Sequence, residues 1–109
     1  MKYRVVVMPE ARASIDACID YIANERQAPE SATRFLERVY RAIAALETFP
    51  EGAPLAPEDA YRTYEIRVRI VGEWLVLFNI NEPTSRVRVI GFRHGRQRPL
   101  NRELPANPG

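Results

Sequence analysis

Cysteine is nearly absent from this 109-residue chain. Cys18 stands alone, which excludes an internal disulfide and any metal site built from several thiolates. Histidine also occurs once, so chemistry that needs an imidazole must use His94. No segment approaches the roughly 20 apolar residues of a membrane helix. The apolar stretch near the start, Val5 to Met8, is cut by Pro9. Lys2, Arg4 and the triplet Ala11-Arg12-Ala13 imitate the flanks of a secretion signal, but the stretch is too short to be its core. A cytoplasmic protein is expected. Repeats, low-complexity tracts and long linkers are missing too. The reading is one domain over residues 1–98, with 99–109, which hold Pro99, Pro105 and Pro108, as a flexible C-terminal tail.

What is present fits a small globular protein. Hydrophobic residues make up 46% and charged residues 28%, which sets aside a disordered chain. A domain of this size buries about two thirds of its unfolded surface, enough for one core. A large partner must therefore bind on the outside. Net charge is only +2, but it is unevenly spread. Residues 1–60 carry seven basic against ten acidic side chains, and residues 61–109 carry nine arginines against four glutamates. The basic half is where an anionic partner would bind. Arginine outnumbers lysine fifteen to one, and its planar fork suits carboxylates and phosphates.

Hydrophobic spacing orders the elements. Tyr3 to Met8 reads as a short strand that ends at Pro9. Ala11, Ile15, Cys18, Ile19 and Ile22 then form a helical stripe over Glu10 to Arg26. A second helix starts at Pro29 and carries Ala32, Phe35, Leu36, Val39, Ile43 and Leu46 inward before Pro50 and Gly52 stop it. A joint this short predicts an antiparallel helical hairpin. After a proline-rich loop over 50–62, Tyr64, Ile66, Val68 and Ile70 alternate with Glu65, Arg67 and Arg69, as in a half-exposed strand. Trp74 to Ile80 is apolar on both faces, which predicts a central strand. A last strand runs from Arg86 to about Phe92. The order β-α-α-β-β-β predicts an α+β fold, with the hairpin on one face of a mainly antiparallel four-stranded sheet. The first strand must join that sheet to satisfy its backbone.

Several short segments at matching intervals carry a resemblance. They are Asp20-Tyr21-Ile22-Ala23 at the end of the first helix, Leu46 with Phe49-Pro50 after the second, and Tyr64-Glu65-Ile66-Arg67. The turn Val71-Gly72-Glu73-Trp74 and the closing Arg93-His94-Gly95-Arg96 complete the set. Over about residues 3–98 the chain resembles the RelE/ParE family of toxins from bacterial toxin–antitoxin modules. The resemblance implies a small toxin neutralised by a cognate, ParD-like antitoxin that wraps it. It leaves two activities open: a ParE-like binding inhibitor of DNA gyrase, or a RelE-like nuclease that cleaves messenger RNA on the ribosome.

The residues bear on that choice. Metal-free RNA cleavage needs a base, an acid and cations around the phosphorane. Glu65 and His94 could move protons, and Arg67 and Arg96 could clamp phosphate. However, Trp74 to Ile80 has no basic residue and no tyrosine follows Tyr64, both of which depart from the RelE-like pattern. The expectation is a gyrase inhibitor that binds its target through Arg93, His94, Arg96 and Arg98, with no cofactor and no metal. Phe35, Tyr40, Arg67 and Arg69 are the candidate antitoxin contacts. The competing readings are intramolecular core for the two aromatics and a solvated strand face for the two arginines. Cys18 is expected in the core, and Trp74 and Phe78 as core or partly covered sheet residues.

Overall fold

A computed structural model describes residues 2–108. Strand β1 (Arg4–Val7) is a valine run, and Pro9 opens α1 (Pro9–Asp20) where its missing N–H would have no helical acceptor. Ala11, Ile15 and Cys18 form the buried stripe of α1. The periodic pattern predicts a continuous helix to Arg26, but the last turn widens. Over Tyr21–Glu25 it becomes a π turn, with the Arg26 N–H reaching back to the Tyr21 carbonyl at 3.2 Å. Helix α2 (Pro29–Ala44) buries Ala32, Val39 and Ile43 and tightens over Ala45–Glu47. Phe49 then turns the chain in a left-handed conformation, φ 55°.

Three further strands follow, β2 (Arg67–Val71), β3 (Trp74–Asn81) and β4 (Arg86–His94). The sheet order is β1-β4-β3-β2. The meander pairs antiparallel, and β1 joins β4 in parallel, with Val5 level with Val87. The β2–β3 turn is two residues long, which Gly72 permits by taking φ +63°.

Both faces of the sheet are covered. Ile15, Val39, Ile43 and Leu46 from the helices meet Val76, Phe78, Val87, Val89 and Phe92 on one face. On the other, Leu77 and Ile90 lie under Ala56 and Ile66 from the loop and Leu104 from the tail. This double cover explains why β3 is apolar on both sides.

A one-residue bulge sets the end of β4. Phe78 is level with Val89 but Leu77 is level with Gly91, so Ile90 is extra. An extra residue reverses which face each later side chain takes. Val87 and Val89 therefore share the helix side with Phe92, whereas Arg93 turns toward the loop side.

Two expectations change here. The segment after Pro99 packs instead of hanging free: Leu104 and Pro108 are buried, and the Tyr64 hydroxyl donates to the Pro105 carbonyl at 2.6 Å. The Arg62 guanidinium donates to the Leu104 and Pro105 carbonyls (3.1 and 3.2 Å) and to the Asn101 carbonyl. Apolar surface on the second face of the sheet is what draws the tail in. Strand β2 also starts at Arg67 and not at Tyr64, because the preceding residues bond to the loop: the Ala56 N–H meets the Ile66 carbonyl at 2.8 Å. The covering loop reaches Ile66 and Val68 but not Ile70, which is 65% exposed.

Candidate functional site

The chain's cationic end begins where β4 closes. Trp74, opposite His94 in the ladder, stacks on Phe92 with ring centroids 5.0 Å apart, and the His94 ring meets its edge at 5.2 Å. The His94 Nδ1 accepts the Arg96 N–H at 3.0 Å, so a neutral ring carries its proton on Nε2, 3.7 Å from the Glu73 carboxylate. Gln97 fastens the same turn, its Oε1 accepting the His94 N–H at 2.8 Å. Gly95 allows the turn to lie close to β2–β3, because a Cβ there would sit 3.3 Å from the Glu73 carbonyl.

Arg96 and Arg98 stand exposed on this turn and make no ion pair among the described residues. Arg93 does not belong with them. It is 3% exposed and forks onto Glu58, itself fully buried, through Nε to Oε2 at 2.5 Å and Nη2 to Oε1 at 3.2 Å. The same carboxylate accepts the Leu100 N–H at 2.9 Å. Arg93 thus ties the loop and tail to the sheet and has no face left for a target. A pairing 35 residues apart leaves no spacing signal, so Glu58 escaped the sequence reading.

The four residues offered for RNA cleavage do not assemble. Glu65 and Arg67 pair with each other at 2.8 Å, and Arg67 is also held by the Glu51 and Ala53 carbonyls. Arg67 is level with Phe78, and so with Val89, whereas His94 lies five positions further along β4. The pair and His94 are separated by roughly 15 Å along the strands and roughly 10 Å across them. Arg96 stays with His94 at the far end.

The antitoxin candidates are scattered as well. Phe35 is half-buried near Trp74, but Tyr40 faces β1 with the Arg12 guanidinium 5.9 Å above its ring. Arg67 and Arg69 lie at the β2 edge, half-buried instead of fully solvated.

Trp74 has a role the sequence reading missed. It is half-buried and forms a wall of two clefts, one of about 460 Å³ with Phe35, Arg26 and Arg38, the other of about 490 Å³ with Tyr21, His94 and Gln97. The π turn lets consecutive residues serve both, Ile22 facing the first and Tyr21 the second. Cys18 closes the second cleft, and burial pushes its thiol up to about 11. It is a neutral apolar wall at physiological pH. Among the described residues no three His, Cys, Asp or Glu side chains converge to hold a metal, and no helix is long and apolar enough to cross a membrane.

Residues 5–99 match the family described as the ParE toxin of type II toxin–antitoxin systems, parDE. No curated protein matches the chain. Among solved structures it is similar to a chromosomal ParDE toxin–antitoxin system from P. aeruginosa, with TM-score 0.65 and 15% identity over 85% of this chain and 96% of that one. It is also similar to the RelBE2 toxin–antitoxin complex from Mycobacterium tuberculosis (TM-score 0.59, 20% identity, 86% and 99% covered). A third is the archaeal RelE–RelB complex from Pyrococcus horikoshii OT3 (TM-score 0.56, 12% identity, 90% and 100% covered). At these identities the structural likeness is one of fold. The family match itself runs from β1 through the cationic turn, and on that ground the chain belongs to the ParE toxin family of type II toxin–antitoxin systems.

Proposed function

We propose that this toxin acts by binding, that its target is the DNA gyrase machinery, and that a cognate ParD-like antitoxin neutralises it in the cytoplasm. The observation that carries the reading is the separation of the candidate catalytic groups. Glu65 and Arg67 are committed to each other at one end of the sheet, and the His94 Nδ1 is already occupied by a backbone amide at the other. A general base needs a free acceptor within reach of the proton it takes. Arg96 and Arg98, exposed and without an ion pair among the described residues, supply instead a docking edge for an anionic surface, with His94 beside them. The family match and the likeness to ParDE and RelBE complexes support an antitoxin as partner.

The test is DNA supercoiling by gyrase with the purified chain added. Inhibition with accumulation of cleaved DNA is expected. The double substitution Arg96→Glu/Arg98→Glu should raise the inhibitory concentration by about tenfold or more, by reversing two interfacial charges. Arg86→Glu, at the opposite end of β4, should leave it unchanged. Absence of inhibition, together with messenger RNA cleavage on translating ribosomes that His94→Ala abolishes, would instead establish the RelE-type activity.

A further inference from the structure

We propose that the outer edge of β1 is a self-pairing surface, on which a second copy of this chain lays its own β1 antiparallel, whatever the target of the toxin. The strand borders the sheet. In its parallel ladder with β4, the Arg4 N–H reaches the Ser85 carbonyl and the Met8 N–H the Val89 carbonyl, both at 2.9 Å. Alternation along the strand turns Val6 the same way, so the N–H and C=O groups of Val5 and Val7 point out of the sheet. Two residues before Val5 the border is covered, because the Tyr3 N–H donates to the Glu47 carbonyl at 2.8 Å. At Val5 and Val7 these outward groups have no backbone partner among the described residues. Lysine, proline or a bulge commonly guards such an edge. Val5-Val6-Val7 carries none of them, and Val6 is 37% exposed.

Symmetry and charge select the occupant. A two-fold axis through Val6 pairs Val5 with the second copy's Val7 and Val7 with its Val5, each pair exchanging both N–H···O=C bonds. The two Val6 side chains then meet at the closely spaced position between them. On the helix side the edge opens into a cleft of about 470 Å³, with Val5, Val7, Tyr40 and Ile43 in its walls. Arg12 and Glu47 line it at opposite ends. The backbone fixes those ends, since the Arg12 N–H bonds the Met8 carbonyl at 3.0 Å and the Glu47 carbonyl takes the Tyr3 N–H. Antiparallel placement brings Arg12 of each copy to Glu47 of the other. Arg12 forms no ion pair among the described residues, and Glu47 meets the Lys2 ammonium at 3.9 Å in an exposed contact. A strand of one charge would suit one end of the cleft and repel the other, whereas a second copy suits both. Pairing uses up the edge on each side, so the assembly closes as a dimer and does not grow.

The test uses the purified chain alone. Sedimentation equilibrium should show one chain in reversible equilibrium with two. Amide hydrogen exchange at Val5 and Val7 should be slow in concentrated samples and fast on dilution, while Val6, bonded within the sheet, stays protected in both. Val6→Lys should weaken association by about tenfold or more, because it sets two ammonium groups against each other. Arg12→Glu and Glu47→Arg should each weaken it by about tenfold, and Arg12→Glu/Glu47→Arg should restore the parent's value. That rescue would not follow if either residue only supported the fold, and it keeps the test open should Val6→Lys fail to fold. A monomer at every concentration, a dimer indifferent to Val6→Lys, or a charge swap as weak as the single variants overturns the pairing. So does protection of Val5 and Val7 that appears only when another protein is added, the antitoxin included, since the edge would then serve a different strand.

Discussion

Glu58 and Arg93 show how a single carboxylate can decide whether part of this molecule folds. The two are almost completely shielded from water, and Glu58 also holds the Leu100 amide. Removing one partner of such a pair strands the other charge in the interior, whereas replacing both with apolar groups removes the desolvation cost on each side. Glu58→Ala should therefore lower unfolding free energy by about 3–5 kcal/mol. The double variant Glu58→Leu/Arg93→Met should recover most of that, which urea titration of the set would measure. Tyr3 poses a smaller problem of the same kind. Its hydroxyl lies 2.7 Å from Glu51 and 2.8 Å from Glu82, with one hydrogen to share. Hydrogen bonding to these carboxylates, Glu51 first, pushes the phenol well above its usual 10.0, and the Tyr3 hydroxyl holds Glu51 below its usual 4.5. The lowered Glu51 contributes stability above pH 4.5 that is lost as pH falls through its depressed value. The raised Tyr3 contributes stability below pH 10.0 that is lost as pH rises toward its elevated value. Tyr3→Phe should accordingly be less stable than the parent by a margin widest between these limits. Urea midpoints across pH should converge on the acid and the alkaline sides; a gap independent of pH would assign the effect to packing alone.

Among the elements, β4 and the tail depend on each other. A Cβ at Gly91 would lie 3.1 Å from Leu100 Cδ1, 3.3 Å from Leu77 Cδ1 and 3.5 Å from Leu104 Cδ2. The glycine is what lets two tail leucines settle on the strand. Gly91→Val should cost about 1–3 kcal/mol through overpacking, and cleavage within residues 99–108 by a nonspecific protease should speed up while the sheet persists. The same region marks where sequence reading stops working. Spacing alone yields the helical hairpin, the meander and the two-sided burial of β3, because each follows from a local period. The bulge does not, since nothing in Val87 to Arg93 announces that Ile90 is extra. Arg93 was offered as part of the cationic run that closes the strand, and a run of charges does not show that one member is turned under the loop onto Glu58. The tail was misread because its proline content suggests fraying, whereas its leucines pack on residues far away in the chain. Of the cationic end, the exposure of Arg96 and Arg98 follows from the turn that carries them past the end of the sheet, where they form no ion pair among the described residues. Tyr21 was visible only as part of a family segment, because a π turn has no period of its own to read.

At the scale of the whole molecule, the charge asymmetry of the sequence becomes a feature of the surface. The first sixty residues, most of them in the helical layer and the following loop, hold an acidic excess of three. The remainder, the meander and tail, holds a basic excess of five and exposes Arg96 and Arg98 on the turn that follows β4. Such a distribution orients the molecule as it approaches an acidic partner, and orientation acts on the rate of encounter more than on the lifetime of the complex. Raising salt from about 50 to about 300 mM shortens the screening length to less than about 10 Å. The association rate with the antitoxin should then fall by about tenfold while the dissociation rate stays within about twofold. Stopped-flow mixing would separate the two. The Arg96→Glu/Arg98→Glu variant should associate slowly already at low salt and respond weakly to more of it. If that variant kept the parent's salt dependence, the steering charge would have to lie elsewhere, and Arg26 and Arg38 across Trp74 would be the next pair to reverse.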